Sequence, residues 1–246
     1  MRNEMSLYSI VNREFPQIFE FVFSKFLNAQ IKNDFTPNKY RFFEDVEAIK
    51  NWGSTYADYF DLKKEESFKS NPNEHNLLPY TVFKWYSGYT YLNINQYLRG
   101  FYVKCDASYA TDRIKVMEEE INQFRLEENI IVIRKISNDF LNDYLLKNKK
   151  IKKGTVLNDK AFLSTSLDLS YRKTLDGDYK PLNNETIIIL KVAKNINAIY
   201  LEHVSKREEY ELLLPNNLDI MIEKKVRILN NRILLAKVIP KELECK

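Results

Sequence analysis

The chain is short of glycine, cysteine and histidine, and each shortage closes a functional class. Only 5 of its 246 residues are glycine. Neither G-x-G-x-x-G nor G-x-x-x-x-G-K-[ST] occurs, so the phosphate-cradling loops of Rossmann and P-loop nucleotide sites have no candidate. The two cysteines, Cys105 and Cys245, lack metal-type spacing, and nothing in the sequence indicates that they pair. The two histidines, His75 and His203, build no zinc site with those cysteines at any recognised spacing, so no metal is expected. Neither histidine lies near a nucleophile elbow, which argues against a Ser-His-Asp or Cys-His catalyst. No apolar run is long enough to cross a bilayer. Residues 1–7 carry no charged stretch followed by an apolar one, so the chain as given shows no signal peptide and is expected to be soluble.

Charge of either sign is also not in excess. The 38 basic and 34 acidic residues leave a net charge of +4, too small to point to nucleic acid. The one dense basic cluster, Lys147–Lys153, reads as a solvated helix end.

A hydrophobic content of 44% over this length suffices for a proper core. The first half reads as helical. Phe15, Ile18, Phe19, Val22, Phe23 and Phe26 repeat at helical spacing before Pro37 and Asn38 break the pattern. Helices are expected at about 44–62, with Val46, Ile49, Trp52, Tyr56 and Tyr59 on one face, then at 78–86, 94–99 and 107–126. Asn71-Pro72-Asn73 marks a loop. The second half turns to strands: 129–134, 160–166, 186–192, 198–200, 210–214, 219–223 and 233–239, with a helix around Phe140–Leu145 and a turn at Asn230-Asn231. Helices first and strands afterwards predict an α+β fold rather than alternating βαβ units. Residues 1–43 read as an N-terminal helical extension and residues 44–246 as the main domain.

Three places in the strand-rich half carry polar groups where packing would favour apolar ones. Arg134 ends a β-branched strand. Its guanidinium is a fixed fork of donors suited to phosphate oxygens, although an edge-strand arginine in solvent has the same sequence. Ser164-Thr165-Ser166 offers hydroxyls that could fix a neighbouring carboxylate, or merely ordinary strand formers. Glu208-Glu209-Tyr210-Glu211 runs into Leu212-Leu213-Leu214-Pro215. Strand alternation would project Glu209 and Glu211 together, with Tyr210 opposite. Paired carboxylates repel unless a cation or a cationic transition state sits between them. Such a pair beside hydroxyls and an arginine suits cleavage at an anomeric carbon through an oxocarbenium-like state. NAD supplies both an N-glycosidic bond and a pyrophosphate.

The order of these motifs resembles the arginine–serine–glutamate class of mono-ADP-ribosyltransferases, as found in bacterial toxins. Arg134 and Ser164 are 30 residues apart, and Ser164 and Glu211 are 47 apart. The stretch from Tyr86 through Tyr91, Ile94 and Asn95 to Leu98-Arg99 is similar to the family's Tyr-Thr-x-x-x-Tyr-x-x-Ile-Asn-x-x-Leu-Arg segment, with Ser87 in place of the threonine. Trp52-Gly53 resembles the Trp-Gly helix that opens the toxin catalytic domain. Asp159 through Phe162 to Ser166 resembles the phenylalanine–Ser-Thr-Ser strand, and Tyr210–Pro215 the strand after the toxin-turn loop. The resemblance spans about residues 44–240.

The resemblance implies an ADP-ribosyltransferase-like fold, with N-terminal helices followed by two packed, mainly antiparallel sheets flanking an NAD cleft. It implies NAD as co-substrate, held by Arg134 at the phosphates, with Tyr86, Tyr91, Asn95 and Arg99 lining the cleft. Lys135, Thr165, Ser166 and Arg172 complete the expected NAD-binding set. Ser164 would orient Glu211, which would stabilise the oxocarbenium ion as nicotinamide leaves. Glu209 would position or deprotonate the acceptor. In the family a glutamate at that place goes with arginine acceptors, a carboxylate being the natural partner of a guanidinium. The implied protein is a secreted or injected toxin acting in a host cytosol, expected to be a monomer, on a target protein with actin as first guess, with or without a delivery partner. A non-catalytic protein of the same fold, or a transferase with a bacterial or phage target, is the alternative. Pro215-Asn216-Asn217 departs from the family's Pro-Arg-Gly, but asparagine tolerates positive φ, so the turn is expected to survive. In place of a spaced aromatic and arginine after Ser166 stand the adjacent Tyr171 and Arg172.

Overall fold

In the computed structural model the described residues are 21, 24–26, 29, 40–70, 75–102, 106–169, 185–205, 208–228 and 231–239, and helices precede strands along them. Helix α1 (Val46–Lys69) starts where the Asp45 carboxylate accepts from the Ala48 backbone N–H at 2.7 Å, satisfying one of the open donors of the first turn. It passes the expected end near Leu62 because the lysines and glutamates that follow are good helix formers, with Lys63 and Glu66 paired on its surface. Pro79 opens α2 (Pro79–Trp85), a first-turn position where its missing N–H is no loss. The chain then makes a π-helical turn, Tyr86–Thr90, and continues as α3 (Tyr91–Leu98). The two short helices expected here are one helical run with a wide turn in its middle. Gly88 lies in that turn and interrupts the apolar period, so the pattern reads as two. Helix α4 (Ala107–Ile121) is capped by Asp106 and ends before the expected 126, where Phe124 packs its ring against Tyr59 with centroids 4.8 Å apart.

The strands are β1 (Ile130–Ser137), β2 (Val156–Asp159), β3 (Leu163–Ser166), β4 (Glu185–Val192), β5 (Ile199–Tyr200), β6 (Glu211–Leu214), β7 (Leu218–Ile228) and β8 (Asn231–Ile239). A second π-helical turn, Phe140–Leu145, follows β1. The strand order is β2-β7-β8-β4-β1-β3-β6-β5, antiparallel except between β4 and β8. Strands β1 and β3 share a single register pair, Ile133 with Ser166. The two sheets expected from the sequence are therefore two parts of one hydrogen-bonded sheet, β2-β7-β8-β4-β1 and β3-β6-β5, joined at that point. The strand expected over 160–166 is shorter, β3 beginning only at Leu163, and β2, which Asp159 closes, is a strand the sequence did not announce. Strand β7 is far longer than 219–223. Beyond Met221 it has no pairing with β2, and an edge tolerates the charges that hid this stretch from the alternation pattern.

Alternation along β1 feeds two cores. Ile130, Val132 and Ile136 join the main cluster with the helices, while Ile131 and Ile133 pack on the other face with Ile187, Ile189, Ile233 and Leu235. Phe26, Tyr40 and Phe42 cover that second face. Arg41 pairs with Ile130, donating its N–H to the Asn129 carbonyl and accepting from the Ile131 N–H, both at 2.8 Å. Attachment to the sheet thus begins upstream of residue 44. The helix expected over Phe15–Phe26 lies largely outside the described residues.

Candidate functional site

The site forms where the two parts of the sheet meet. Arg134 is the fifth residue of β1, beside the Ile133–Ser166 junction. Its Nη1 donates to the Ser164 carbonyl at 3.2 Å and its Nη2 to Asp159 Oδ2 at 3.1 Å. Arg99, the C-cap of α3, reaches the same carboxylate: Nε donates to Oδ1 and Nη2 to Oδ2, each at 2.9 Å. The Ala161 backbone N–H adds a fourth bond to Asp159 at 3.1 Å. Arg99 is further held over the Phe140 ring, 4.6 Å from its centroid. Two guanidinium groups, 13% and 12% exposed, therefore share one buried carboxylate. Burial pushes Arg134 below its usual pKa, and Asp159 opposes that shift.

Tyr86, in the π-helical turn, is buried among these charges. Asn95 Nδ2 donates to its hydroxyl at 3.1 Å. Burial raises the Tyr86 pKa first and the Glu211 carboxylate raises it further, while Asn95, Arg134 and Arg99 pull it down. The Tyr86 hydroxyl thus senses Glu211 and both arginines at once. A π-helical turn widens the backbone locally and is frequent at functional sites, and here it sets Tyr86 and Asn95 inward on one helical run. Tyr91 lies on the same run but is 38% exposed.

Glu211 opens β6 opposite Ser166, and Ser164 is two places along on the same strand, hence on the same face and diagonal to Glu211. The hydroxyls flanking Ser164 are engaged with backbone. Thr165 Oγ1 donates to the Leu212 carbonyl at 2.7 Å, tying β3 to β6, and Ser166 Oγ donates to the Glu209 carbonyl at 2.7 Å.

Two expectations need correcting. Glu209 and Glu211 do not project as strand neighbours. Strand β6 begins at Glu211, and Tyr210 before it has φ 49, a left-handed conformation that breaks the alternation. As a result Glu211 is buried and Glu209 is exposed. The kink is fixed by the Tyr210 N–H donating to Glu202 Oε2 at 3.1 Å and the Leu167 N–H donating to the Tyr210 carbonyl at 3.1 Å. Lys135 follows Arg134 in the chain but lies on the other face of β1. Consecutive strand residues face opposite sides, and Lys135 points away from the Arg134 side. Tyr171 and Arg172 lie outside the described residues. The turn at Pro215-Asn216-Asn217 is present, with Asn217 at φ 56.

Asp159 was not singled out as a site residue in the sequence. Its signal was an acidic residue closing a strand directly before the buried Ala161-Phe162-Leu163 run. Phe140, under Arg99, carried no signal. Among the described residues no group of three His, Cys, Asp or Glu side chains gathers as a metal site, and no helix is long and apolar enough to cross a membrane.

The fold is similar to that of Plx2a, an ADP-ribosyltransferase toxin from Paenibacillus larvae, at 21% identity and a TM-score of 0.60, over 82% of this chain and 99% of that one. The C3 exoenzyme of Clostridium limosum is similar at 18% identity and 0.60, over 82% and 98%. BECa, the ADP-ribosylating toxin of a binary enterotoxin of C. perfringens, solved with NADH, is similar at 18% and 0.61, over 82% of this chain and 50% of that one. Comparison with curated protein sequences finds no match. Residues 50–241 match the family profile of the ADP-ribosyltransferase exoenzymes, a span that takes in every site residue above from Tyr86 to Glu211, and the chain belongs to that family.

Proposed function

We propose that this toxin-family enzyme transfers ADP-ribose from NAD to an arginine of a target protein, releasing nicotinamide. The gathering of Arg99 and Arg134 on Asp159, with Arg134 also bonded to the Ser164 carbonyl of the strand that pairs with Glu211, supports this reading: two nearly buried cations for a pyrophosphate stand beside one buried carboxylate for a cationic sugar. Arg134 and Arg99 hold the phosphates in a fixed orientation. Glu211 stabilises positive charge at the anomeric carbon as the C–N bond to nicotinamide breaks and the leaving group takes the electron pair. Ser164, diagonal to Glu211, orients it. Tyr86 and Asn95 wall the ribose side, and Tyr91 closes the outer edge. Glu209, held outward by the Tyr210 kink, takes the proton that the acceptor guanidinium loses as its nitrogen bonds to that carbon. An exposed carboxylate is well placed to meet a guanidinium carried by another molecule.

In this reading residues 44–246 form the catalytic domain and residues 1–43 extend it. The enzyme is a monomer, reaches a host cytosol by secretion or injection, with or without a delivery partner, and has actin as its first candidate target. Incubation with NAD tests the chemistry. Glu211→Gln should abolish nicotinamide release, and undiminished turnover would overturn the assignment. Glu209→Gln should lose protein modification and retain slow NAD hydrolysis; equal loss of both would contradict the division of roles.

A further inference from the structure

Arg99, Arg134 and Asp159 come from three separate elements: the end of α3, the middle of β1 and the end of β2. Asp159 is the point at which they meet. Its Oδ2 accepts from Arg99 Nη2 at 2.9 Å and from Arg134 Nη2 at 3.1 Å, so both guanidinium groups hang on one oxygen. Two cations this close repel, and without that oxygen they would swing apart. Its Oδ1 accepts from Arg99 Nε at 2.9 Å and from the Ala161 backbone N–H at 3.1 Å. The backbone bond fixes the carboxylate, and the carboxylate fixes the arginines. Each arginine is also held from a second side, Arg134 by the Ser164 carbonyl and Arg99 by the Phe140 ring.

A guanidinium has more donors than these bonds use. Arg99 turns its Nε–Nη2 edge to Asp159, and Arg134 spends one hydrogen from each Nη. Among the described residues nothing bonds Arg99 Nη1 or Arg134 Nε. Neither atom is sealed in, since the buried side-chain nitrogens that lack a partner are Arg113 Nε and Arg232 Nε. The unspent donors of the pair therefore open onto solvent, ready for an anion.

We propose that Asp159 is a positioning residue for NAD: it sets the spacing and tilt of Arg99 and Arg134 so that their unspent donors meet the two phosphates together. This role rests on the transferase reading above, in which both arginines hold the phosphates. A carboxylate near the phosphates repels them, so Asp159 adds nothing to affinity by charge. It adds affinity only by order, because donors already in place lose less freedom on binding than donors that must first be gathered. The two roles open to Asp159 differ in sign. If it places the arginines, neutralising it weakens NAD binding. If it is a structural counter-ion alone, neutralising it removes a repulsion, and NAD binds as well or better.

The test measures KM and kcat of NAD hydrolysis for Asp159→Asn, Asp159→Glu, Arg99→Met and the double variant Asp159→Asn/Arg99→Met. KM is the decisive quantity, because an unfolded fraction lowers the apparent kcat and leaves KM alone. Asp159→Asn should raise KM at least about tenfold, the effect of misplacing one charge-assisted bond, and by more than kcat falls. An unchanged or lower KM overturns the proposal. Asp159→Glu keeps the charge and carries the carboxyl further out, so KM should rise at least about threefold. A KM equal to that of the unaltered enzyme overturns the placement role even where Asp159→Asn does not fold. In the double variant the rise should be clearly smaller than the product of the two single ones, because Asp159 no longer has Arg99 to place. A full product means that Asp159 does not act through Arg99 and overturns the role. If the unaltered enzyme neither binds nor hydrolyses NAD, the transferase reading fails, and this role with it. If it does both while the variants leave KM unchanged, only the role of Asp159 fails.

Discussion

Arg99 lies side-on to Asp159, Nε to Oδ1 and Nη2 to Oδ2, both at 2.9 Å, in a place where the arginine side chain is 13% and the aspartate 3% exposed. Geometry of this kind offsets the desolvation of both groups only while both are present. Asp159→Asn keeps the shape and removes the charge, leaving Arg99 and Arg134 facing each other. Breaking a buried pair from one side typically costs about 3–5 kcal/mol. Denaturant unfolding of the variant should show a loss of that order. A loss under about 1 kcal/mol would show that water screens the cluster as it does a surface bridge.

Gly53 is where α1 touches β5. A Cβ there would stand 2.2 Å from Tyr200 Cε1, and Tyr200 is fully buried. His203 Nε2 lies 3.1 Å from the Gly53 carbonyl, so the helix can slide little. Gly53→Ala gains about 1 kcal/mol of helix propensity and loses about 1–3 kcal/mol to overpacking. The balance should be destabilising on thermal unfolding, and Tyr200→Leu should relieve it by opening the space. Stabilisation by Gly53→Ala alone would refute the tight contact.

How far the sequence carried this fold depends on which residues depart from simple periods. The helix-then-strand order, β1, β4, β6 and β8 were legible because their apolar runs are long or β-branched. The π-helical turn was not, since its extra residue offsets the 3.6-residue period at Gly88. The far half of β7 was not, since a strand edge admits charge. At the site, Arg134, Ser164 and Glu211 were found through strand context and motif order. Asp159 was missed because one acidic residue in a strand looks like surface until the two arginines that need it are seen in space. The relation of Glu209 to Glu211 was misread because positive φ at Tyr210, a tyrosine rather than glycine or asparagine, leaves no mark in the sequence.

The Tyr210 kink leans on Glu202, which accepts its N–H. Burial raises the Glu202 pKa first, Glu208 and Glu209 raise it further, and the Tyr210 N–H and Lys50 lower it. The folded protein therefore holds this proton more tightly than the unfolded chain does. Its stabilising contribution is present at low pH and is lost as pH rises through the raised value. Glu202→Gln keeps an acceptor for the N–H and cannot ionise. Thermal midpoints should be higher than those of the unaltered protein at about pH 7–8 and converge with them below the ordinary carboxylate range, about pH 4. Parallel curves at all pH values would remove Glu202 from the loop's pH response.

Arg134 and Lys135 are adjacent cations on β1 that face opposite sides of the sheet, and only Arg134 faces Asp159 and Tyr86. Lys135→Gln should therefore leave the KM for NAD within about twofold, whatever the sequence suggests about neighbouring cations. Arg134→Lys keeps the charge but loses the fork that bonds Asp159 and the Ser164 carbonyl together. One or two charge-assisted bonds are worth about 1.5–3 kcal/mol, so kcat/KM for NAD hydrolysis should fall roughly ten- to hundredfold. Equal losses in the two variants would mean that the phosphates approach from both faces of β1, which a single strand could allow only at its end. Arg134 is followed on β1 by Lys135, Ile136 and Ser137, all paired with β4, so the strand continues past it and keeps the two sides apart.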